Sequence, residues 1–170
     1  MTKKIRMNLS YKSIQRAIDQ IENYRKELKR KNQIFVEKLS KIGINVIRET
    51  MESIPDEEKG EYYVESLNNS SGDMVGVAIR LSGTDVLFVE FSAGTAYGTP
   101  QGGYPLESGR KYGAGTYPGQ THANDPNGWW YLDESGNKHH SYGNRAYMPM
   151  YHASEAIMFE IKQIAKEVFG

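Results

Sequence analysis

Histidine and carboxylate side chains are the residues of this sequence best suited to chemistry. The four histidines are His122, His139, His140 and His152. No two of them have the four-residue spacing that places a pair of metal ligands on one helix face. His139 and His140 are adjacent, so on a strand they face opposite sides. Two histidines joined by Asp125 or Asp133 can form a divalent metal site, but solvated or hydrogen-bonded histidines are the favoured interpretation.

Carboxylates offer one further constellation, since Glu90, Asp133 and Glu134 can be arranged as the acid/base pair of a glycoside hydrolase. Such pairs occur in any sequence of this length, and Glu90 lies in an apolar run where an outward-facing strand residue is the simpler interpretation. No serine lies in a Gly-x-Ser-x-Gly motif, and the sequence has no cysteine. We therefore predict no catalytic residue, no metal ligand, no cofactor and no enzymatic activity.

Apolar residues spaced by three and four predict helices at both ends of the chain. In the first third we expect two helices, at about 13–30 and about 33–53, with the polar stretch 29–32 as a turn or a continuation between them. Gly43 lies inside the second of these, where glycine costs a helix about 1 kcal/mol. Pro149 suits the first turn of a C-terminal helix over 149–169.

Alternating apolar residues predict an antiparallel sheet within residues 60–92. Val75–Leu81 has the period of a half-buried strand, and Ser82 and Gly83 suggest a tight turn after it. We expect Val86–Phe91 to return as its antiparallel partner and Glu61–Leu67 to form a third strand.

Residues 93–146 have a different composition and are predicted to form a long loop. Eleven of the seventeen glycines lie there, together with both tryptophans and many tyrosines. Within it, Trp129–Leu132 and Lys138–Tyr142 are expected to form a hairpin. Long irregular segments in compact domains are usually functional or disordered, and aromatic richness argues against disorder. We expect an interaction loop that becomes ordered against a neighbouring subunit.

Aromatic side chains with a polar end are enriched at protein interfaces, which makes this region the candidate contact surface. The candidate interface residues are Trp129, Trp130, Tyr131, Tyr142, Tyr147 and Met148. Because adjacent strand residues point to opposite sides, we expect one side of the strand at 129–132 to complete the core and the other to face a partner.

Charge is balanced overall but unevenly placed along the chain. Residues 1–54 carry thirteen Lys/Arg and six Asp/Glu, whereas residues 55–92 carry two and eight. A neutral protein has no general attraction to DNA or to an anionic membrane, and no apolar run approaches the length of a membrane span. We expect no membrane partner, no sequence-specific nucleic-acid binding, no signal peptide and synthesis in the cytoplasm.

The order of these elements predicts a single α+β domain, with helices packed on one face of a small antiparallel sheet. Its expected parts are a helical region at 10–54, the sheet at 60–92, the loop with its hairpin at 93–146 and the C-terminal helix at 149–169.

This order, together with two passages, resembles the small tail-completion (head–tail joining) proteins of long-tailed bacteriophages and prophages. Val89–Thr95 (VEFSAGT) is similar to a family strand that ends in a Glu-Phe-Gly-Thr-like turn. Arg145–Met150 (RAYMPM) looks like the family's proline-containing entry into its last helix. The resemblance implies a non-enzymatic subunit of a homo-oligomeric ring that contacts other neck and tail proteins. The isolated subunit can be a monomer, and the protein is expected in the virion and in the host cytoplasm during assembly.

A narrower resemblance covers Asn127–Asn137 (NGWWYLDESGN), which is similar to one repeat of the choline- or cell-wall-binding modules of Gram-positive surface proteins. Those modules stack tandem repeats, because a single repeat cannot bury its own aromatic residues. A carbohydrate- or cell-wall-binding module is therefore one alternative function, and a small tail-associated hydrolase is another.

Overall fold

The computed structural model describes residues 4–92, 127–132, 135–143 and 145–170. Its first element is one uninterrupted helix, α1 (Tyr11–Glu52). The Ser10 side chain caps its start by accepting a hydrogen bond from the Ser13 N–H. The prediction of two helices was wrong: the polar stretch 29–32 contains neither Gly nor Pro, so nothing in it breaks the backbone hydrogen bonds of a helix.

A short helix, α2 (Asp56–Lys59), leads into a two-stranded antiparallel sheet of β1 (Tyr62–Asn68) and β2 (Val77–Gly83). In its register Tyr62 pairs with Gly83 and Asn68 with Val77. The predicted strand at 61–67 is confirmed as β1. It pairs directly with β2, where Val86–Phe91 was the expected partner. Ser82 and Gly83 lie inside β2, so the turn predicted there was wrong.

The segment predicted to pair with β2 is helical, as α3 (Val86–Phe91). A short continuous apolar run has no period that separates a buried strand from a buried helical turn, so the strand prediction for this segment was wrong. Glu90, in this helix, is buried. The prediction that its side chain faces outward was wrong.

The rest of the described chain comprises the hairpin strands β3 (Trp129–Leu132) and β4 (Lys138–Ser141) and the C-terminal helix α4 (Pro149–Phe169). Both were predicted from the sequence. The predicted loop over 93–126 and the turn residues 133–134 lie outside the described residues. The extent of the single domain therefore stays a prediction, whereas the mixed α+β class is confirmed.

The hydrophobic core lies where the C-terminal half of α1 meets the start of α4, α3 and the sheet. Its buried members are Ile47, Met51, Ile54, Val89 and Ala153. Half-buried side chains surround them: Val46, Tyr62, Val64, Ile79, Leu81, Tyr147 and Met150. From there α4 runs antiparallel to α1 until Phe169 meets Phe35, with 5.6 Å between ring centroids. No helix within the described ranges is long and apolar enough to cross a membrane.

Gly43 lies where α1 meets both β2 and α4. A Cβ at this position would lie 2.6 Å from Ile79 Cδ1 and 2.8 Å from Ile157 Cδ1. We expect Gly43→Leu to lower the free energy of unfolding by about 1–3 kcal/mol, because overpacking forces these neighbours to shift. Gly43→Ala is the control, since the two δ-methyl groups can rotate away and alanine favours the helix by about 1 kcal/mol. Urea denaturation of both variants measures this difference, and equal stabilities would contradict it.

Candidate interaction surface

The two ends of the long 93–146 segment are joined by backbone hydrogen bonds at α3. The carbonyl of Val89 accepts the N–H of Tyr147 at 2.7 Å and that of Met148 at 3.3 Å. Val89 itself is fully buried. The chain before the segment and the chain after it are therefore joined at Val89.

Glu90 adds a second connection at the same point. Its carboxylate accepts the N–H of Met150 at 2.9 Å through Oε2 and the N–H of Tyr151 at 3.1 Å through Oε1. These are first-turn amides of α4, which have no carbonyl partner within the helix. A negative charge also favours the positive end of the helix dipole. Glu90 therefore caps α4 from a distant part of the chain. The sequence analysis did not predict this role.

The residues flanking the segment adopt left-handed backbone conformations. Ser92, which follows α3, has φ 74°, and Met148, the N-cap of α4, has φ 53°. Non-glycine residues persist there when the surrounding structure holds them. The Ser92 hydroxyl is buried and finds no hydrogen-bond partner among the described residues. These two left-handed residues lie at the end of α3 and at the start of α4.

The β3–β4 hairpin presents aromatic side chains on both of its sides. Trp129 pairs with Ser141 and Trp130 with His140 across the hairpin. Gly128 precedes β3 with φ 71°, and a Cβ there would lie 2.2 Å from the carbonyl oxygen of Ser141. Only glycine fits that close approach, so Gly128 sets the start of the hairpin.

One side of the hairpin is a cluster of Trp130, His140, Tyr142 and Lys138. The His140 ring lies 4.7 Å from that of Trp130 and 4.5 Å from that of Tyr142. The Lys138 ammonium lies 4.6 Å from the centre of a Trp130 ring, within range of a cation–π interaction. Trp130 is 60% exposed and Tyr142 58%. We call these four residues the aromatic cluster.

The other side of the hairpin carries Trp129 and Tyr131. Tyr131 stacks on His139 with 5.4 Å between centroids and remains about half exposed. Trp129 is half-buried. No residue of β3 is fully buried, so the expectation that one side of this strand completes the core was wrong for the described residues. Alternation along the strands is nevertheless as predicted, since His139 and His140 lie on opposite sides.

The six candidate interface residues therefore separate into two groups. Trp129, Trp130, Tyr131 and Tyr142 belong to the hairpin. Tyr147 and Met148 belong to the anchored base, where the Tyr147 hydroxyl donates a hydrogen bond to Glu58 at 2.9 Å. Tyr147 also packs against the core. Their contacts within the subunit give these two residues a positioning role.

The candidates for metal binding and catalysis are not brought together among the described residues. No three His, Asp or Glu side chains in these ranges form a cluster that could hold a metal ion. His152 lies 3.6 Å from Glu155 on α4, whereas His122, Asp125, Asp133 and Glu134 lie outside the described residues. Nearby, the Tyr151 hydroxyl donates to Glu155 at 2.9 Å, and this hydrogen bond raises the pKa of Tyr151.

Comparison with known proteins gives no relative: no family model, no curated protein and no solved structure matches this chain.

Proposed function

We propose that this chain is a bacteriophage or prophage virion assembly protein, a tail-completion or head–tail joining subunit that acts through protein–protein contacts in a ring. The observation that carries the proposal is the exposed aromatic cluster on a hairpin whose segment is anchored to the core. Aromatic side chains bury a large area at little cost in conformational entropy, which suits exposed ones to be the centre of an interface.

The anchoring at Val89 and Glu90 supports the same role. A contact surface carried by a long segment binds a neighbour more tightly when the segment's ends are already fixed, because less ordering remains to be done on binding. The resemblance of Arg145–Met150 to the phage family falls on this same anchored base, whereas Val89–Phe91, which is similar to a family strand, is helical in this chain. The proposed partners are other neck and tail proteins, in the virion and in the host cytoplasm during assembly.

The uneven distribution of charged residues along the sequence is a weak basis for contacts between subunits of the ring. Six of the eight acidic residues in 55–92 are engaged within the subunit. They are Asp56, Glu58, Glu65, Asp73, Asp85 and Glu90. The remaining charges would orient neighbouring subunits and speed their encounter. Affinity would rest mainly on the hairpin.

The test is Trp130→Ala in the phage or prophage that encodes the chain. Truncation of an aromatic residue at an interface centre costs about 2–4 kcal/mol, which weakens a contact roughly thirtyfold or more. We expect a folded variant that leaves filled heads and free tails unjoined, seen by electron microscopy and as a fall in infectious titre.

Tyr63→Ala is the matched control, because Tyr63 is an aromatic residue on β1 that is 69% exposed. It should give joined, infectious particles. If folded Trp130→Ala and Tyr142→Ala variants both yield normal particles, the aromatic cluster is not the joining surface and the proposal fails.

A carbohydrate- or cell-wall-binding function is the second candidate, because the exposed Trp130 and Tyr131 rings suit stacking on sugars. The contacts of Lys138 and His140 with Trp130 leave less of that ring free for a ligand. Titration of tryptophan fluorescence with choline and with cell-wall fragments separates the two functions. Saturable binding abolished by Trp130→Ala, with normal head–tail joining, would favour the module.

A further inference from the structure

The antiparallel pair of β1 and β2 has an outer edge along β1, and hydrogen bonds at the tip of the pair fix which backbone groups lie there. Ser71 and Met74 exchange N–H to carbonyl bonds, and the Asn69 N–H donates to the Gly76 carbonyl. Bonded and non-bonded pairs alternate along an antiparallel ladder, and the register continues without interruption along both strands. Every second residue of β1 therefore points its backbone N–H and C=O away from β2. These residues are Tyr62, Val64, Ser66 and Asn68, and we call their outward backbone groups the open edge.

The backbone groups of the open edge are unpaired. No hydrogen bond within the described ranges reaches them, and the side chains of Ser66 and Asn68 are exposed. The donors and acceptors repeat about every 6.8 Å, which is the rise of two strand residues. A second extended backbone offers donors and acceptors at the same spacing, which is how a peptide adds to the edge of a sheet.

The open edge also lacks the features with which proteins usually block an exposed strand. Proline, lysine, a β-bulge or an inward-pointing charge normally prevents a further strand from pairing. β1 (YYVESLN) contains neither proline nor lysine, and its register shows no bulge. Its one charged residue, Glu65, lies on the opposite face to Val64 and accepts a hydrogen bond from Arg80 Nε at 2.9 Å. Nothing in β1 therefore opposes the pairing of another strand.

β2 is the strand of the pair that lies next to the helices. Ile79 Cδ1 in β2 and Ile157 Cδ1 in α4 both lie within 3 Å of the Cβ position of Gly43. At the end of β2, Gly83 approaches Val86 of α3, whose Cγ1 lies 3.1 Å from its Cβ position. Since α3 and α4 meet β2, the open edge of β1 is the better side for an added strand.

We propose that the open edge binds an extended segment of a partner protein as a third strand. The antiparallel arrangement is expected, because it is the more stable per residue. Tyr62 and Val64 pack against the core, so the residues opposite them should be apolar. The residue opposite Glu65, on the other face, should be lysine or arginine. This surface is distinct from the aromatic cluster, so the inference does not depend on the proposed assembly role.

A second copy of β1 fits the open edge less well than such a segment. Antiparallel pairing along the whole strand would place Tyr62 opposite Asn68 of the second copy, and each Glu65 opposite the other. Like charges directly opposite each other are destabilising. A shifted register separates them but leaves part of each strand unpaired. The charge on β1 therefore favours a basic partner segment.

A labelled peptide with the sequence of β2 (VAIRLSG) is a suitable probe, because β2 has the required pattern. In the register that β2 itself uses, Arg80 of the peptide would face Glu65, and Leu81 would face Val64. Fluorescence anisotropy with the full chain should show binding that saturates below about 1 mM. The peptide with Arg80→Glu should bind about fivefold more weakly or worse, since it would place a like charge opposite Glu65.

Ser66→Pro tests the open edge itself. The Ser66 N–H points away from β2, so proline removes a donor from the open edge while the bonds between β1 and β2 remain. We expect a folded variant, by circular dichroism, that binds the peptide about tenfold more weakly or worse. Ser66→Ala is the control, because it keeps the backbone donor, and it should bind as the wild type does.

Backbone methylation of the peptide gives a second measurement that does not depend on the folding of a variant. Methyl groups on the amide nitrogens of Ile79 and Leu81 would block the side of the peptide that faces β1. Methyl groups on those of Ala78 and Arg80 would lie on its far side. The first peptide should lose binding, and the second should keep it. Equal affinity of the two peptides would refute strand addition.

Two further outcomes would overturn the proposal. One is the absence of saturable binding of the unmodified peptide up to about 1 mM, or unchanged binding by folded Ser66→Pro. The other is a wild-type dimer in sedimentation equilibrium that Ser66→Pro converts to a monomer, because the open edge would then belong to a second copy of the chain.

Discussion

Replacing Glu90 with alanine is expected to lower the free energy of unfolding by about 2–4 kcal/mol. Glu90 is 5% exposed, and its two oxygens accept the first-turn amides of Met150 and Tyr151. Alanine would remove the cap, leave both N–H groups buried without that partner and take a negative charge from the start of α4. Chemical denaturation of the purified chain measures the loss.

Glu155→Ala is the matched control for this cap. Glu155 lies on the same helix, but it is exposed and contacts His152 and Tyr151 at the surface. Its removal should cost less than about 1 kcal/mol, as is usual for surface pairs. Hydrogen exchange adds a local readout, since the amides of Met150 and Tyr151 should exchange faster in Glu90→Ala. If the two variants are equally stable, Glu90 does not hold the helix start.

Local patterns in the sequence predicted the elements whose determinants are close together in the chain. The apolar stripe of α4 and the proline at its first turn are both contained in 149–169, and that helix is confirmed. The same holds for β1 and for the β3–β4 hairpin, whose alternation places His139 and His140 on opposite sides. Each of these patterns is decided within about ten to twenty residues.

Determinants that are distant in the sequence were missed. Glu90 has no local signal as a cap, because the amides it accepts are about sixty residues further along the chain. Val86–Phe91 was assigned to the sheet because a short apolar run fits both a strand and a buried helical turn. Its helical state follows from packing of Val89 beneath α4, which no local pattern reveals.

The candidate interaction surface was only partly predicted, because some of its residues are also placed by contacts that are distant in the sequence. The hairpin aromatics stand out by residue type alone, so four of the six predicted residues lie together. Tyr147 and Met148 also have suitable types, but their backbone bonds to Val89 belong to the anchored base. In α1, the apolar spacing is the same in both halves. The pattern could not tell which half forms the hydrophobic core.

The two halves of α1 should respond differently to the same substitution. Ile47 is fully buried in the core, whereas Ile21, in the N-terminal half of the helix, is 55% exposed. Ile47→Ala is expected to cost about 2–5 kcal/mol, because it removes buried methyl groups and leaves a cavity. For a chain of this size the midpoint of thermal unfolding should fall by about 5–15 °C.

Ile21→Ala supplies the comparison within the same helix. In dilute solution it should be neutral or slightly stabilising, since alanine has the higher helix propensity and little burial is lost. Thermal unfolding of both variants measures the difference. A large loss for Ile21→Ala would mean that Ile21 is packed as tightly as Ile47, and the expected contrast between the two halves would be wrong.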